Sequence, residues 1–168
     1  MMPGDEHHAR DAHAVACAIV TISDTRTADS DTSGRRARTL LEAAGHRVVS
    51  YSIVPDDTSL VRARLEELLA LPSLEVVVTN GGTGLGRRDT TFEAIAALLD
   101  KRLDGFGELF RMLSWEQVGA TAMLSRATAG VARGKILVSL PGSTAAVELA
   151  LEKLLLPALG HMVHLVRA

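Results

Sequence analysis

Residues 79–91, TNGGTGLGRRDTT, place Gly81, Gly82, Gly84 and Gly86 ahead of Arg87, Arg88 and Asp89, directly after the apolar run 74–78. Glycines reach positive φ without a steric cost. Without Cβ atoms, successive N–H groups can point into one concavity that receives phosphate oxygens, and a following helix adds the positive end of its dipole. The spacing matches neither common nucleotide fingerprint. Gly81 and Gly86 keep the glycine interval of a P-loop, but Arg87 and Arg88 stand where Lys and Ser or Thr are needed. Arg87 also occupies the third glycine position of the dinucleotide pattern that Gly82 and Gly84 begin. The residues leave two readings, an anion cradle and a permissive turn.

Asp89 sharpens the choice. A carboxylate beside a phosphate cradle repels the ligand unless a cation lies between them, and Mg2+ takes one or two carboxylates together with phosphate oxygens. Asp56, in VPDD, is a second acid available at the same edge of a sheet. The competing role for Asp89 is a helix-terminus charge or an ion pair with Arg87 or Arg88.

These residues need elements to hold them. The run AVACAIVTI (14–22) is almost wholly apolar and β-branched, as in a strand covered on both faces. After the polar loop SDTRTADSDTSG, residues 34–44 put Ala37, Leu40, Leu41 and Ala44 on one helical face, and Gly45 is a stop signal. RVVSYSIV reads as a second strand. Thr58 is expected to cap a helix with Leu60, Val61, Leu65, Leu68 and Leu69 along its stripe, and LEVVV as a third strand follows. Thr90 and Glu93 form a capping-box signature, predicting a helix from there to about Leu99. GFGELFRMLSWEQVG suggests one or two short helices; ATAGVAR and KILVSL, separated by Gly134, suggest paired strands. Ser143 can cap a final helix through about Leu156, with Pro157 kinking or restarting it.

Strands alternating with helices predict an α/β fold, a mostly parallel sheet with helices on both faces and an antiparallel strand, which binds ligands beyond the carboxyl ends of its strands. Loops 23–33, 80–90 and 141–144 converge there. At 168 residues one domain is expected, residues 14–168, preceded by a disordered tail over residues 1–13. His7, His8 and His13 in that tail lack partners at a metal-binding spacing. Aromatics are only 3% of the chain, so Leu, Val, Ile and Ala must fill the core. A net charge of −2 lacks the basic excess that nucleic-acid binding needs. No apolar run approaches the roughly 18 residues of a membrane span, and Cys17 alone cannot form an internal disulfide. A cytoplasmic protein without a membrane partner is expected.

In order along the chain, TISDTR, SG, GH, VPDD, TNGGTG, RRDTT, GFGELFR, LSRATAG and LPGS resemble the molybdenum-cofactor biosynthesis proteins of the MoaB/Mog type, related to the G domain of gephyrin. GGTG alone is weak; the ordered set over nearly the whole chain is specific. The ending LPGSTAAVELALEKLLLPAL is closer to the MoaB branch, and Phe92 stands where Mog proteins commonly have proline. The resemblance implies an α/β/α sandwich that binds molybdopterin and ATP. It implies transfer of AMP to the terminal phosphate of molybdopterin, with pyrophosphate released and Mg2+ present, and molybdate insertion by a downstream protein. It assigns Asp89 and Asp56 as the catalytic, magnesium-aligning acids. Gly81, Gly82, Thr83 and Gly84 would hold the phosphate part of the ligand, with Ser23 and Asp24 after the first strand and Pro141, Gly142 and Ser143 completing the pocket. A non-catalytic molybdopterin-binding or scaffold role is the alternative, and a generic P-loop ATPase is disfavoured by Arg87 and Arg88.

Family members form trimers or hexamers, and the apolar ending LLLPALGHMVHLV exceeds what one surface helix buries, so a homo-oligomer is expected. Trp115 is assigned to the core or to a subunit interface. Arg35, Arg36 and Arg38 read as a solvated helix face, and His161 with His164 lacks a third zinc ligand. Glu108 and Arg126 lie in family motifs, but their partners are open.

Overall fold

A computed structural model describes residues 13–168. Residues 1–12 of the expected tail 1–13, with His7 and His8, lie outside the described residues, whereas His13, the last of that tail, contacts Glu75 through Nε2 at 3.3 Å. In chain order the elements are β1 (Ala16–Ile22), α1 (Thr32–Ala43), β2 (Arg47–Val54), α2 (Thr58–Leu69), β3 (Val76–Asn80), α3 (Thr91–Ala96) and β4 (Lys101–Arg102). Then come α4 (Asp104–Val118), a 3-10 turn (Gly119–Leu124), β5 (Thr128–Ala132), β6 (Lys135–Leu140), α5 (Thr144–Ala150), a π-helical turn (Leu151–Leu155) and α6 (Leu156–Arg167).

The sheet order is β2-β1-β3-β6-β5-β4. β1, β2, β3 and β6 run parallel, and β5 is antiparallel to β6. Strand alternation sorts the core into two layers. Cys17, Ile19, Val76, Val78, Ile136 and Val138 face α1, α4, α5 and α6, while Ala18, Val20, Val77 and Leu137 face α2 and α3. Because β1 and β3 are covered on both faces, their sequences are continuous apolar runs. Truncating one fully buried member, such as Leu65 or Ile19, to alanine costs about 2–5 kcal/mol.

Local chemistry sets most boundaries. Asp31, not a residue near Gly34, caps α1 by accepting the Gly34 N–H at 3.1 Å, and the helix therefore begins two residues early. It ends where Gly45, at φ +88°, lets the His46 N–H reach back to the Leu41 carbonyl. Asp57, rather than Thr58, caps α2 through the Leu60 N–H. Arg133 and Gly134, both at positive φ, make the tight turn of the expected β5–β6 hairpin.

Other expectations need correction. The Thr90–Glu93 capping box does not form; Thr90 makes no side-chain cap, and α3 stops at Ala96. Residues 104–118 form one helix of 15 residues, because Phe106, Phe110 and Ser114 recur inward every fourth position and outweigh two N-terminal glycines. The two-residue β4 carries no alternation a sequence reading could detect. At the chain's end the π turn, where the Leu156 N–H bonds the Leu151 carbonyl, precedes Pro157 in the first turn of α6. Residues 144–167 are thus one continuous helical stretch of 24 residues, long and apolar enough by length and composition to cross a membrane, contrary to expectation. Its Val147, Leu151, Leu155, Leu159 and Val163 are packed in the sheet's own core.

Candidate functional site

β1, β2, β3 and β6 end within one residue of register at Ile22, Val54, Asn80 and Leu140, so the loops that follow them share one edge. Backbone bonds join these exits. The Ser23 N–H donates to the Val54 carbonyl and the Gly81 N–H to the Leu140 carbonyl, each at 2.9 Å. Gly81 (φ +95°) and Gly82 (φ +69°) then turn the chain sharply over the edge. A Cβ on residue 81 would lie 2.2 Å from the Ile22 carbonyl, and one on residue 142 would lie 3.3 Å from the Gly81 Cα. Glycine is therefore required at 81, and at 142 it eases the close approach of the two loops.

Both acids lie at this edge, Asp56 on the loop after β2 and Asp89 on the glycine loop after β3. The Asp56 Oδ1 accepts the Thr91 hydroxyl at 2.7 Å and sits 3.4 Å from where a Gly82 Cβ would be. The Asp89 carboxylate folds under Gly84 and Gly86 and accepts the Gly86 N–H at 2.7 Å. It does not pair with Arg87 or Arg88; both side chains are exposed, and among the described residues neither forms an ion pair. Asp24 joins the group by accepting the Asp56 N–H at 2.9 Å. Among the described residues, the N–H groups of Gly82, Thr83, Gly84 and Leu85 donate to no protein acceptor. Four consecutive unused donors beside two carboxylates suit an oxyanion held with a cation.

The remaining expected residues serve the frame. Ser23 Oγ accepts the N–H groups of Thr25 and Arg26, closing its own loop. Ser143 Oγ caps α5 through the Ala146 N–H at 3.1 Å, as expected. Pro141 and Gly142 bring that cap against Gly81. Thr83 contributes its carbonyl to Arg126. Arg36 pairs with Glu148 and Glu152 and Arg38 with Glu42, so these are helix-surface ion pairs.

Beneath the loops lies a polar network that sequence reasoning missed. Arg26 donates to the Gly142 carbonyl at 2.8 Å and to Ser33 Oγ at 2.5 Å, and pairs with Asp31 at 3.5 Å. Ser33 bonds Asn80 Oδ1, and Asn80 Nδ2 donates to Thr21 Oγ1. Tyr51 donates its hydroxyl to Asp31 Oδ2 at 2.5 Å. Burial alone would push the Asp31 carboxyl up, but hydrogen bonds from Thr21, Tyr51 and the Gly34 N–H, with the Arg26 charge, outweigh it and hold it below the ordinary carboxylate range. Burial, and then the bond to Asp31, push the Tyr51 phenol up to about 12. The network ties the exits of β1, β3 and β6 together. Its only sequence signal is the polar density of 23–33.

Arg126 is resolved as well. Its Nε donates to the Thr83 carbonyl at 3.0 Å, its Nη2 to the Gly84 carbonyl and its Nη1 to Glu93, and its guanidinium lies 4.4 Å over the Phe92 ring. Glu93, claimed here, cannot complete a capping box. A cleft of about 430 Å3 adjoins this side of the loop and is lined by Phe92, Arg102, Glu108, Arg111, Arg126 and Thr128 among others.

The profile of a family described as a probable molybdopterin binding domain matches residues 18–161. The chain belongs to this molybdopterin-binding family. Two curated relatives, both called molybdenum cofactor biosynthesis protein B, are 51% identical (Bacillus cereus, covering 94% of each chain) and 48% identical (Halalkalibacterium halodurans, covering 96% of this chain and 95% of the relative). The tungsten cofactor synthesizing protein MoaB of Pyrococcus furiosus superposes with a TM-score of 0.82 at 39% identity, covering 92% of this chain and 98% of that one. A Mog protein of Mycobacterium ulcerans gives 0.81 at 29% identity, covering 93% and 99%. The three-layer family architecture is the one described above, and identity is higher to the MoaB-named members.

Proposed function

We propose that the chain transfers AMP from ATP to the terminal phosphate of molybdopterin, as a step of molybdenum-cofactor biosynthesis. The supporting observation is the approach of the Asp56 and Asp89 carboxylates to a loop with four unused N–H donors. An oxygen of the molybdopterin phosphate attacks the α-phosphorus of ATP, the bond to the bridging oxygen breaks, and pyrophosphate leaves. Such a transfer needs alignment and charge neutralisation rather than a protein nucleophile. The loop amides bind phosphate oxygens, and Asp56 and Asp89 orient them.

The donor set fits Mg2+, a hard cation that takes carboxylate and phosphate oxygens. Asp56 and Asp89 would hold it, each keeping one carboxylate oxygen that accepts no hydrogen bond among the described residues. When bound, it supplies positive charge to the triphosphate. Gly81, Gly82, Thr83 and Gly84 form the cradle, with Ser23, Asp24, Pro141, Gly142 and Ser143 as its frame. The product passes to a molybdate-inserting partner, and the reaction belongs to the cytoplasm.

The same reading extends to a homo-oligomer, trimer or hexamer. Its support is different from what the sequence suggested. The apolar C-terminal stretch buries one face, Leu155, Leu159 and Val163, in its own core, whereas Leu109, Met112, Trp115, Val118, Met123 and Leu124 are exposed together around α4 and the 3-10 turn.

Purified protein incubated anaerobically with molybdopterin, ATP and Mg2+ should yield adenylylated molybdopterin and pyrophosphate in equal amounts. ATP left intact beside bound molybdopterin would refute this. One observation favours a second reading, a non-catalytic molybdopterin-binding protein. Asp89 is already engaged by the Gly86 N–H, a loop-closing role that needs no metal. There, molybdopterin binds and no adenylylated product forms.

A further inference from the structure

We infer that Arg126 is the positioning residue that aims the amides of the glycine loop into the cradle. The inference rests on the phosphate-binding reading of that loop for its functional meaning, though not for its geometry.

Arg126 spends three donor groups on the loop and its neighbour. Nε takes the Thr83 carbonyl, Nη2 the Gly84 carbonyl and Nη1 the Glu93 carboxylate. A guanidinium is a rigid planar fork, so two of its donors in one plane fix the directions of two successive carbonyls. In a trans peptide the C=O and the next N–H point to opposite sides. Turning the Thr83 and Gly84 carbonyls toward Arg126 therefore turns the Gly84 and Leu85 N–H groups away from it. Those two N–H groups are among the four that meet no protein acceptor.

The fork is itself held on two further sides. The guanidinium carbon sits over the Phe92 ring, 4.4 Å from its centroid, and Glu93 fixes an outer nitrogen from one residue further along the first turn of α3. The Arg126 side chain is 20% exposed against 57% for its partner Glu93; its bond to the Thr83 carbonyl is part-buried, and its bond to the Gly84 carbonyl is exposed. Nothing else among the described residues bonds those carbonyls. With glycines at 81, 82, 84 and 86 the loop has little preference of its own, and a clamp outside it is needed to select one set of peptide orientations.

The test compares wild type with Arg126→Lys, Arg126→Ala and Glu93→Gln. Amide 1H–15N spectra are recorded for residues 82–85, thermal unfolding is followed, and inorganic pyrophosphate is titrated calorimetrically. Lysine keeps the charge and loses the fork. If the fork matters, Arg126→Lys moves or broadens the amide signals of residues 82–85 and weakens pyrophosphate binding by about tenfold, nearly as far as Arg126→Ala. Glu93→Gln gives a smaller loss, about threefold. Unfolding temperatures stay close to wild type. Amide signals unchanged in Arg126→Lys, with affinity within about twofold of wild type, overturn the inference, as does full rescue of Arg126→Ala by lysine. Should Arg126→Ala fail to fold, the lysine variant decides. A wild type that shows no response to pyrophosphate tells against the phosphate reading of the site, while the amide spectra of the free proteins still decide the clamp.

Discussion

The Ile22 carbonyl oxygen lies 2.2 Å from the point a Cβ on Gly81 would occupy, and Gly81 has φ +95°. The end of β1 and the start of the glycine loop are therefore in backbone contact, which explains how the two exits form one edge.

Gly81→Ala should cost about 3 kcal/mol or more, since backbone strain and a clash with unyielding backbone add. Gly45 offers the control: its φ is +88° but nothing lies within 4 Å of its Cβ position, so Gly45→Ala should cost only about 1 kcal/mol. Urea midpoints measure both. Equal losses would contradict the contact.

Asp31 is fully buried and holds Arg26, Tyr51 and the first turn of α1. Its pKa in the fold is lowered, so its contribution is fully present above the unfolded value near 4 and is lost as pH falls through the depressed folded value. Denaturant unfolding between pH 7 and pH 3 should show a shallower acid-side loss in Asp31→Asn than in wild type. That variant should also lose about 2–4 kcal/mol at neutral pH by leaving Arg26 unpaired. A parallel pH profile in the two proteins would contradict the role.

How far the sequence was legible follows from which forces are local. β1, β2 and the hairpin were readable because β-branched runs and an Arg133–Gly134 turn declare themselves within a few residues. The glycine loop and Asp89 were readable as chemistry, because acids beside a glycine-rich turn raise an electrostatic question that only certain ligands answer. The capping box misled because Thr90 bonds Thr58 and Glu93 bonds Arg126, partners more than 30 residues away in sequence. Asp31 was hidden for the same reason. Its role depends on Tyr51, 20 positions on, and on burial that a polar loop does not advertise. The ordered motifs bridged part of this gap by resemblance, naming the site without its supporting network.

The exposed apolar face of α4 and the 3-10 turn includes Trp115 at 60% and Met123 at 76% exposure. Light scattering of the wild type should report a trimer or hexamer, and Trp115→Arg should shift the mass toward monomer while far-ultraviolet dichroism stays the same, since a buried cation without a partner disfavours assembly. A monomeric wild type would contradict the assembly.

The most direct measurement is anaerobic formation of adenylylated molybdopterin by the wild type, Asp56→Ala and Asp89→Ala, each first verified as folded. The account predicts product from the wild type and a loss of about 100-fold or more in each variant, as when a group that stabilises developing charge is removed. Turnover undiminished in both variants would contradict it.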